Sequence, residues 1–251
     1  MSKIIILLLS IIVFSYAKTI TITADEWCPY NCEAKSENKG YMIEIAKNIF
    51  EKEGYELVYI VSKSWEDAIK QTRDGKFNAV VGALKSEVPD FIFPRQTQGT
   101  SSDSFFVKKN STWHYDGVES LNQVTLGCIK DYGYGKDIDA YVLKNINDIK
   151  KVQCISGNRA LYQNAKKLLY NTIDMMIEDP NVLEYNFRLK GTNIPFKMVG
   201  YTNAEDIYIA FSPHNHNSKK YAEILSKGML ELRKSGELKK ILDEYGLKDW
   251  Q

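Results

Sequence analysis

The chain has 251 residues, with 33 Lys and Arg against 32 Asp and Glu and 44% hydrophobic residues. A net charge of +1 gives no electrostatic footprint for nucleic acid or an anionic membrane surface, so neither is expected as a partner. The length suits one large domain or two modest ones.

The first segment reads MSKIIILLLSIIVFSYAK. Lys3 precedes the apolar run Ile4 to Phe14, and Ser15 and Ala17 are small residues at the spacing of a signal-peptidase site. This predicts a secretory signal peptide over residues 1–17, cut after Ala17. The run is short for a membrane anchor. No cysteine stands at the cleavage site to carry a lipid. Cleavage removes one Lys and no acid, leaving 32 basic against 32 acidic residues.

Four cysteines in an exported chain read as disulfides, with three pairings open. Cys28 and Cys32 lie in WCPYNCE, and Cys128 and Cys154 lie in the strand-like TLGCIKD and KVQCISG. Proximity, in the chain and in the arrangement below, favours Cys28–Cys32 with Cys128–Cys154. No CxxC redox pair is present, and no histidine accompanies the CxxxC spacing. No metal or cofactor is expected.

In chain order, YMIEIAKNIFEKEG (41–54) has apolar residues at helical spacing and a terminal glycine. YELVYIV (55–61) is β-rich. SWEDAIKQTRDG opens on Ser64 as N-cap with Asp67 three residues on, and FNAVVGA (77–83) is a short apolar strand. The first part thus reads β-α-β-α-β, a pattern that implies a parallel sheet with helices on its faces. The second part repeats it. VTLGCIK (124–130) is a strand, GKDIDAYVLKNI (135–146) a helix, KKVQCIS a strand, NRALYQNAKKLLYN (158–171) a helix and TIDMMIE a strand. The units 65–83 and 159–177 are nearly equal in length, so two similar α/β lobes are expected. IYIAFSP (207–213), the amphipathic segment 219–236 and ELKKILDEYG make no sheet of their own and are expected to pack onto one lobe.

In open parallel sheets ligands sit beyond the carboxyl ends of the strands. Those ends are Trp27–Tyr30, Gly82–Ser86, Asp131–Gly135, Ser156–Arg159 and Glu178–Asp179. The pair Glu178 and Asp179, between a buried strand and Pro180, therefore has two readings: a carboxylate at a cleft mouth, or a cap on the following helix. His214 and His216 in PHNHN read as a solvated loop, because no third ligand accompanies them.

The stretches ADEWCPYN, GYMIEIAKNIF, GKFNAVVGA, GCIKDYGYG, TIDMMIEDPNVLEY and LRKSGELKKILDEYG, in that order, resemble the periplasmic solute-binding proteins of polar amino acid ABC transporters. The resemblance covers nearly the whole mature chain. It implies a periplasmic, monomeric protein with a type II fold: two α/β lobes with parallel-type sheets joined by a two-strand hinge. Lobe one would be residues 18–102, with 203–251 returning to it, and lobe two residues 103–202. The implied partners are a small polar solute and the membrane permease of an ABC transporter.

The implied ligand-binding residues follow the motifs. Trp27 and Tyr30 match the aromatic cover of lobe one, and Gly82, Ala83 and Lys85 its ligand-binding loop. Tyr132 and Tyr134 belong to the lobe-two loop whose backbone N–H groups face a carboxylate, and Asp179 matches the residue that holds a ligand amino group. The family arginine that grips an α-carboxylate is missing from KSEVPDFIFP. Lys85, Arg95 and Arg159 are the cations that could replace it. The departure favours an amine or another small polar solute as much as an amino acid. A dehydratase-like enzyme on the same bilobed fold and a ligand-sensing subunit are the alternative functions, although no catalytic histidine or serine–base arrangement is visible.

Overall fold

The computed structural model describes residues 18–251; the expected signal segment, 1–17, lies outside them. Among the described residues no helix is long and apolar enough to cross a membrane.

The first lobe opens with β1 (Lys18–Ala24), α1 (Tyr41–Lys52), β2 (Tyr55–Val61), α2 (Trp65–Arg73) and β3 (Ala79–Ala83). β1 lies parallel between β2 and β3, as right-handed β-α-β crossovers require. α1 buries Met42, Ile45, Ala46, Ile49 and Phe50, the stripe its spacing predicts. α2 is capped by Ser64, whose hydroxyl accepts from the Asp67 amide at 3.3 Å. β4 (Gly99–Ser101) then leads out of this sheet, and β5 (Ser104–Lys108) enters a second one.

The second lobe contains β6 (Leu126–Ile129), α3 (Lys136–Asn145), β7 (Val152–Ile155), α4 (Ala160–Leu169), β8 (Met175–Glu178), α5 (Pro180–Leu189) and β9 (Phe196–Tyr201). β6 is parallel to β7 and β8. The chain returns through residues 202–204 to β10 (Glu205–Phe211), α6 (Ser218–Ser235) and α7 (Glu237–Tyr245). The strand orders are β2-β1-β3-β10-β4 and β7-β6-β8-β5-β9.

Both sheets are mixed rather than wholly parallel. β10 runs antiparallel to β3 and β4, and β5 runs antiparallel to β8 and β9. The reason is topological: each of these strands carries the chain across or back between lobes, so it lacks the helical crossover that makes neighbours parallel. β4, β5 and β9 were not read from the sequence, since the segments around them lack clean alternation. α6 and α7 pack on α1 and bury Leu225, Met229, Leu232, Leu238 and Leu242 in its core.

Each disulfide lies within one lobe. Cys28–Cys32 pins the turn after β1, and Cys128–Cys154 joins the paired positions of β6 and β7.

Candidate functional site

The carboxyl ends of the strands of both lobes face each other across a cavity of about 50 Å3. One buried water needs roughly 10–15 Å3 in this measure, so the space suits a compact molecule. The first lobe contributes Asp25, Trp27 and Asn31 after β1, Trp65 after β2, and Gly82 and Glu87 at and beyond the end of β3. The second lobe contributes Tyr132 and Gly133 after β6, the crossings contribute Asp103, Thr202 and Asn203, and Glu205 stands at the start of β10. A second space of about 340 Å3 shares Asp25, Trp27 and Tyr132 with the first and adds Glu178.

Three aromatic rings frame the cavity. Tyr132 stands edge-on to Trp27 and to Trp65, with ring centroids 6.5 Å apart in each pair. Trp27 stacks at 3.9 Å on Tyr30, which is 1% exposed and so forms its backing. Gly82 has φ +94°, and a Cβ there would lie 3.5 Å from both the Trp27 ring and Asn31 Oδ1. A side chain would therefore fill this corner and strain the backbone as well.

Among the described residues the charged side chains of the wall are all acidic: Asp25, Glu87, Asp103 and Glu205. The Tyr132 hydroxyl donates to Asp25 Oδ2 at 2.8 Å, and the Asn31 amide donates to the Asp25 carbonyl at 2.5 Å. Burial pushes the Asp25 carboxyl up to about 6, against the lowering effect of the Tyr132 bond. Glu87 Oε1 accepts from Trp65 Nε1 at 3.3 Å and from Gly133 N at 2.9 Å, and its Oε2 accepts from Leu84 N at 3.1 Å. Burial pushes Glu87 up to about 7, despite these donors. Asp103 is raised well above the ordinary carboxylate range, first by burial and then by the neighbouring charge of Asp179. In the adjoining space burial likewise raises Glu178, whose Oε1 accepts from the Asp179 amide at 3.0 Å.

Apart from Asp179, the ligand-binding residues singled out from the sequence fall into three groups. Trp27, Gly82 and Tyr132 line the cavity, with Tyr30 behind them. Ala83 and Tyr134 are core residues: Ala83 packs with Trp65 and Val88, while the Tyr134 hydroxyl is bonded to the Ile129 backbone inside the second lobe. Lys85, Arg95 and Arg159 are exposed and line neither space. Lys85 instead lies over the Tyr208 ring, 4.6 Å from its centroid.

Asp179 is completely buried but lines neither space. Its Oδ1 accepts from Asn181 N at 2.7 Å and Val182 N at 3.1 Å, capping α5. Its Oδ2 accepts from Tyr30 at 2.9 Å and Ser101 at 2.7 Å, tying the second lobe to the first. Glu178, rather than Asp179, faces the space beside Trp27 and Tyr132. The strand ends at Glu178, and the chain turns into the helix there, so alternation no longer governs the pair.

The reading missed Asp25, Asn31, Trp65, Glu87 and Asp103. Four of these follow a strand end by one to seven residues, so the strand-end rule applied to every polar or aromatic residue would have found them. Asp103 sits where the chain leaves one sheet for the other, and only the tertiary fold brings that point to the cavity.

Known structures share this architecture. A histidine kinase sensor domain with similarity to periplasmic binding proteins matches with TM-score 0.73 and 17% identity, over 93% of this chain and 99% of that one. A P235GK mutant of ArgBP from T. maritima matches with TM-score 0.72 and 16% identity, over 90% and 94%. The amino acid ABC transporter substrate-binding protein AbpA from Streptococcus pneumoniae, bound to L-arginine, matches with TM-score 0.70 and 20% identity, over 90% and 94%. No curated protein matches the chain. These likenesses establish the bilobed fold. A family model covers residues 20–248, and by that match the chain belongs to the bacterial extracellular solute-binding proteins, family 3.

Proposed function

We propose that the chain is a periplasmic receptor that captures a small polar solute, amino acid or amine-like, in the cavity between its lobes and delivers it to the permease of an ABC transporter. The observation that carries this reading is the origin of the cavity wall. Residues from the first lobe, the second lobe and both crossings meet around one small space. A solute held there touches both lobes at once, so its binding energy favours the closed form over an open one. The two segments 102–103 and 202–204 are the places where such closure would bend, with lobe one as 18–102 plus 203–251 and lobe two as 103–202.

The amine preference has a direct cause. Asp25, Glu87, Asp103 and Glu205 line the cavity, and among the described residues no Lys, Arg or His does. An ammonium group among these carboxylates, of which Asp25 is buried and Glu87 and Asp103 half-buried, replaces water with charge-assisted hydrogen bonds.

Native mass spectrometry of the exported protein, purified without unfolding, tests the reading. A small molecule that co-purifies, or binds on addition, with a contraction seen by solution scattering is the expected result. Absence of binding by any cationic, neutral or anionic solute sinks it. The raised carboxyls of Asp25 and Glu87 are also what a general acid or base requires. The recovered solute is therefore checked for conversion; turnover would make the chain an enzyme instead.

A further inference from the structure

We propose that the solute is a small organic ammonium ion that carries no carboxylate, and that Glu87 occupies the position in which the cavity would otherwise hold a carboxylate. The inference rests on the receptor reading above and narrows its ligand from amino acids and amines to amines alone.

The argument is a balance of donors and acceptors. A carboxylate ligand needs cationic side chains or free N–H and O–H groups. Among the described residues no basic side chain lines either space. Most donors that reach the cavity are already committed, the Asn203 side-chain amide at its exposed rim being an exception. Gly133 N and Trp65 Nε1 donate to Glu87, Tyr132 to Asp25, and Ser101 to Asp179. The Tyr134 amide, next along the same loop, donates to Asp139 at 2.8 Å. Trp27 Nε1 is buried and unpartnered, but it is a single neutral donor set among carboxylates.

Acceptors, in contrast, are in excess. Asn31 is 1% exposed and lines the cavity, and its Oδ1 has no hydrogen-bond partner among the described residues. A buried amide oxygen without a donor is costly, so this atom calls for an N–H or O–H from the occupant. The Asp103 carboxyl also lines the cavity and receives no donor among the described residues. The Trp27, Trp65 and Tyr132 rings line the cavity, and an aromatic face turned toward it attracts a cation. Among the described residues no three His, Cys, Asp or Glu converge as ligands of a metal ion. An organic cation, with N–H groups for Asn31 Oδ1 and a charge for Asp25 and Asp103, fits this set of acceptors.

Glu87 explains why the occupant brings no carboxylate of its own. It crosses from the first lobe and accepts the backbone N–H at the start of the second lobe's loop. A Cβ on Gly133 would stand 2.9 Å from Glu87 Oε1, so the glycine is what allows this approach. A protein carboxylate thus fills a backbone donor that a ligand carboxylate would use, and in its ionised form it repels a second anion.

Calorimetry on the signal-processed chain, with paired probes that differ by one carboxylate, tests this. The pairs are ethanolamine with L-serine, 1,4-diaminobutane with L-ornithine, and 1,5-diaminopentane with L-lysine. At least one amine is expected to bind, at least about 100-fold more tightly than its amino acid. An amino acid that equals or exceeds the best amine overturns the inference and leaves the receptor reading intact. Binding of neutral or anionic solutes alone does the same. No binding by any solute class overturns both. Glu87→Ala frees the Gly133 amide and removes a negative charge. It is expected to shrink the amine preference by about tenfold or more, and an unchanged preference removes Glu87 from the proposal. If that variant does not fold, Asp103→Asn takes its place. It is expected to weaken amine binding by about tenfold or more while thermal stability holds or rises, because a half-buried carboxyl without a hydrogen-bond donor is gone. Unchanged amine affinity in Asp103→Asn counts against the proposal.

Discussion

The Tyr132 hydroxyl of the second lobe donates to Asp25 Oδ2 of the first across 2.8 Å, at the edge shared by the two spaces between the lobes. Asp25 is 6% exposed, so this bond replaces much of the hydration its carboxyl gives up. Tyr132→Phe removes the donor and leaves the ring contacts with Trp27 and Trp65. Loss of one donor to a buried carboxyl costs roughly 1–3 kcal/mol. The closed form is expected to lose that amount relative to an open one, and solution scattering without ligand is expected to give a larger radius of gyration than wild type. An unchanged radius would show that the bond does not hold the lobes together.

Protonation of the cavity acids gives a pH dependence with a definite sign. Burial raises Asp25 from 3.8 to about 6 and Glu87 from 4.5 to about 7. The folded state therefore keeps these protons where the unfolded chain has lost them. Their contribution to stability is fully present below about pH 4 and is lost as pH rises through about 6 to 7. For Asp25 the change is on the order of 3 kcal/mol. The ligand-free protein is expected to melt at a lower temperature at pH 8 than at pH 5, with the slope reduced in Asp25→Asn and in Glu87→Gln. A bound ammonium ion favours the ionised carboxyls, so its affinity should rise over the same window with release of protons. Calorimetry in two buffers of different ionisation enthalpy reads that release directly.

Asp179 serves as cap and crosslink at once, which separates two roles that its sequence position left open. Asp179→Ala strips two amide N–H groups of α5 of their acceptor and orphans the Tyr30 and Ser101 hydroxyls. A loss of roughly 2–4 kcal/mol in unfolding free energy is expected. Asp179→Asn, which keeps one acceptor oxygen, should lose less. If Asp179→Ala keeps its stability and loses only ligand affinity, the carboxylate is a ligand anchor rather than a cap.

The disulfides staple lobes and leave the crossings free. Cys128 and Cys154 close a loop of 26 residues, for which chain entropy gives roughly 3–4 kcal/mol. The variant with both changed to Ser is expected to unfold at lower denaturant concentration. Its solute affinity, measured well below the transition, should match wild type. Cys28 and Cys32 lie beside Trp27 and close a loop of only 4 residues, worth about 2 kcal/mol. Their replacement is expected to cost less stability and more affinity. Equal affinity losses from both pairs would contradict this division.

Much of the architecture was written locally. The spacing of Met42, Ile45, Ile49 and Phe50 makes α1 amphipathic, and Ser64 with Asp67 starts α2, whatever lies elsewhere in the chain. The repeated alternation of helix and short apolar strand gave two lobes, because each β-α-β unit closes within a few dozen residues. Trp27, Gly82 and Tyr132 were found at the cavity because strand ends in such sheets face the ligand. Side-chain allegiance beyond that was decided by tertiary packing. Nothing local tells Asp179 to spend its oxygens on Asn181, Val182, Tyr30 and Ser101. Nor does it tell Glu87 to reach Gly133, 46 residues away in the chain. Lys85 and Arg95 stand near the right segments, yet they point to solvent, where their charge keeps its hydration. The sequence by itself determined the elements and the two-lobed fold, since helix and strand periodicity and capping act over short range. Only the tertiary structure decided which carboxylates are satisfied by the protein and which face the cavity, since that depends on donors brought from the other lobe.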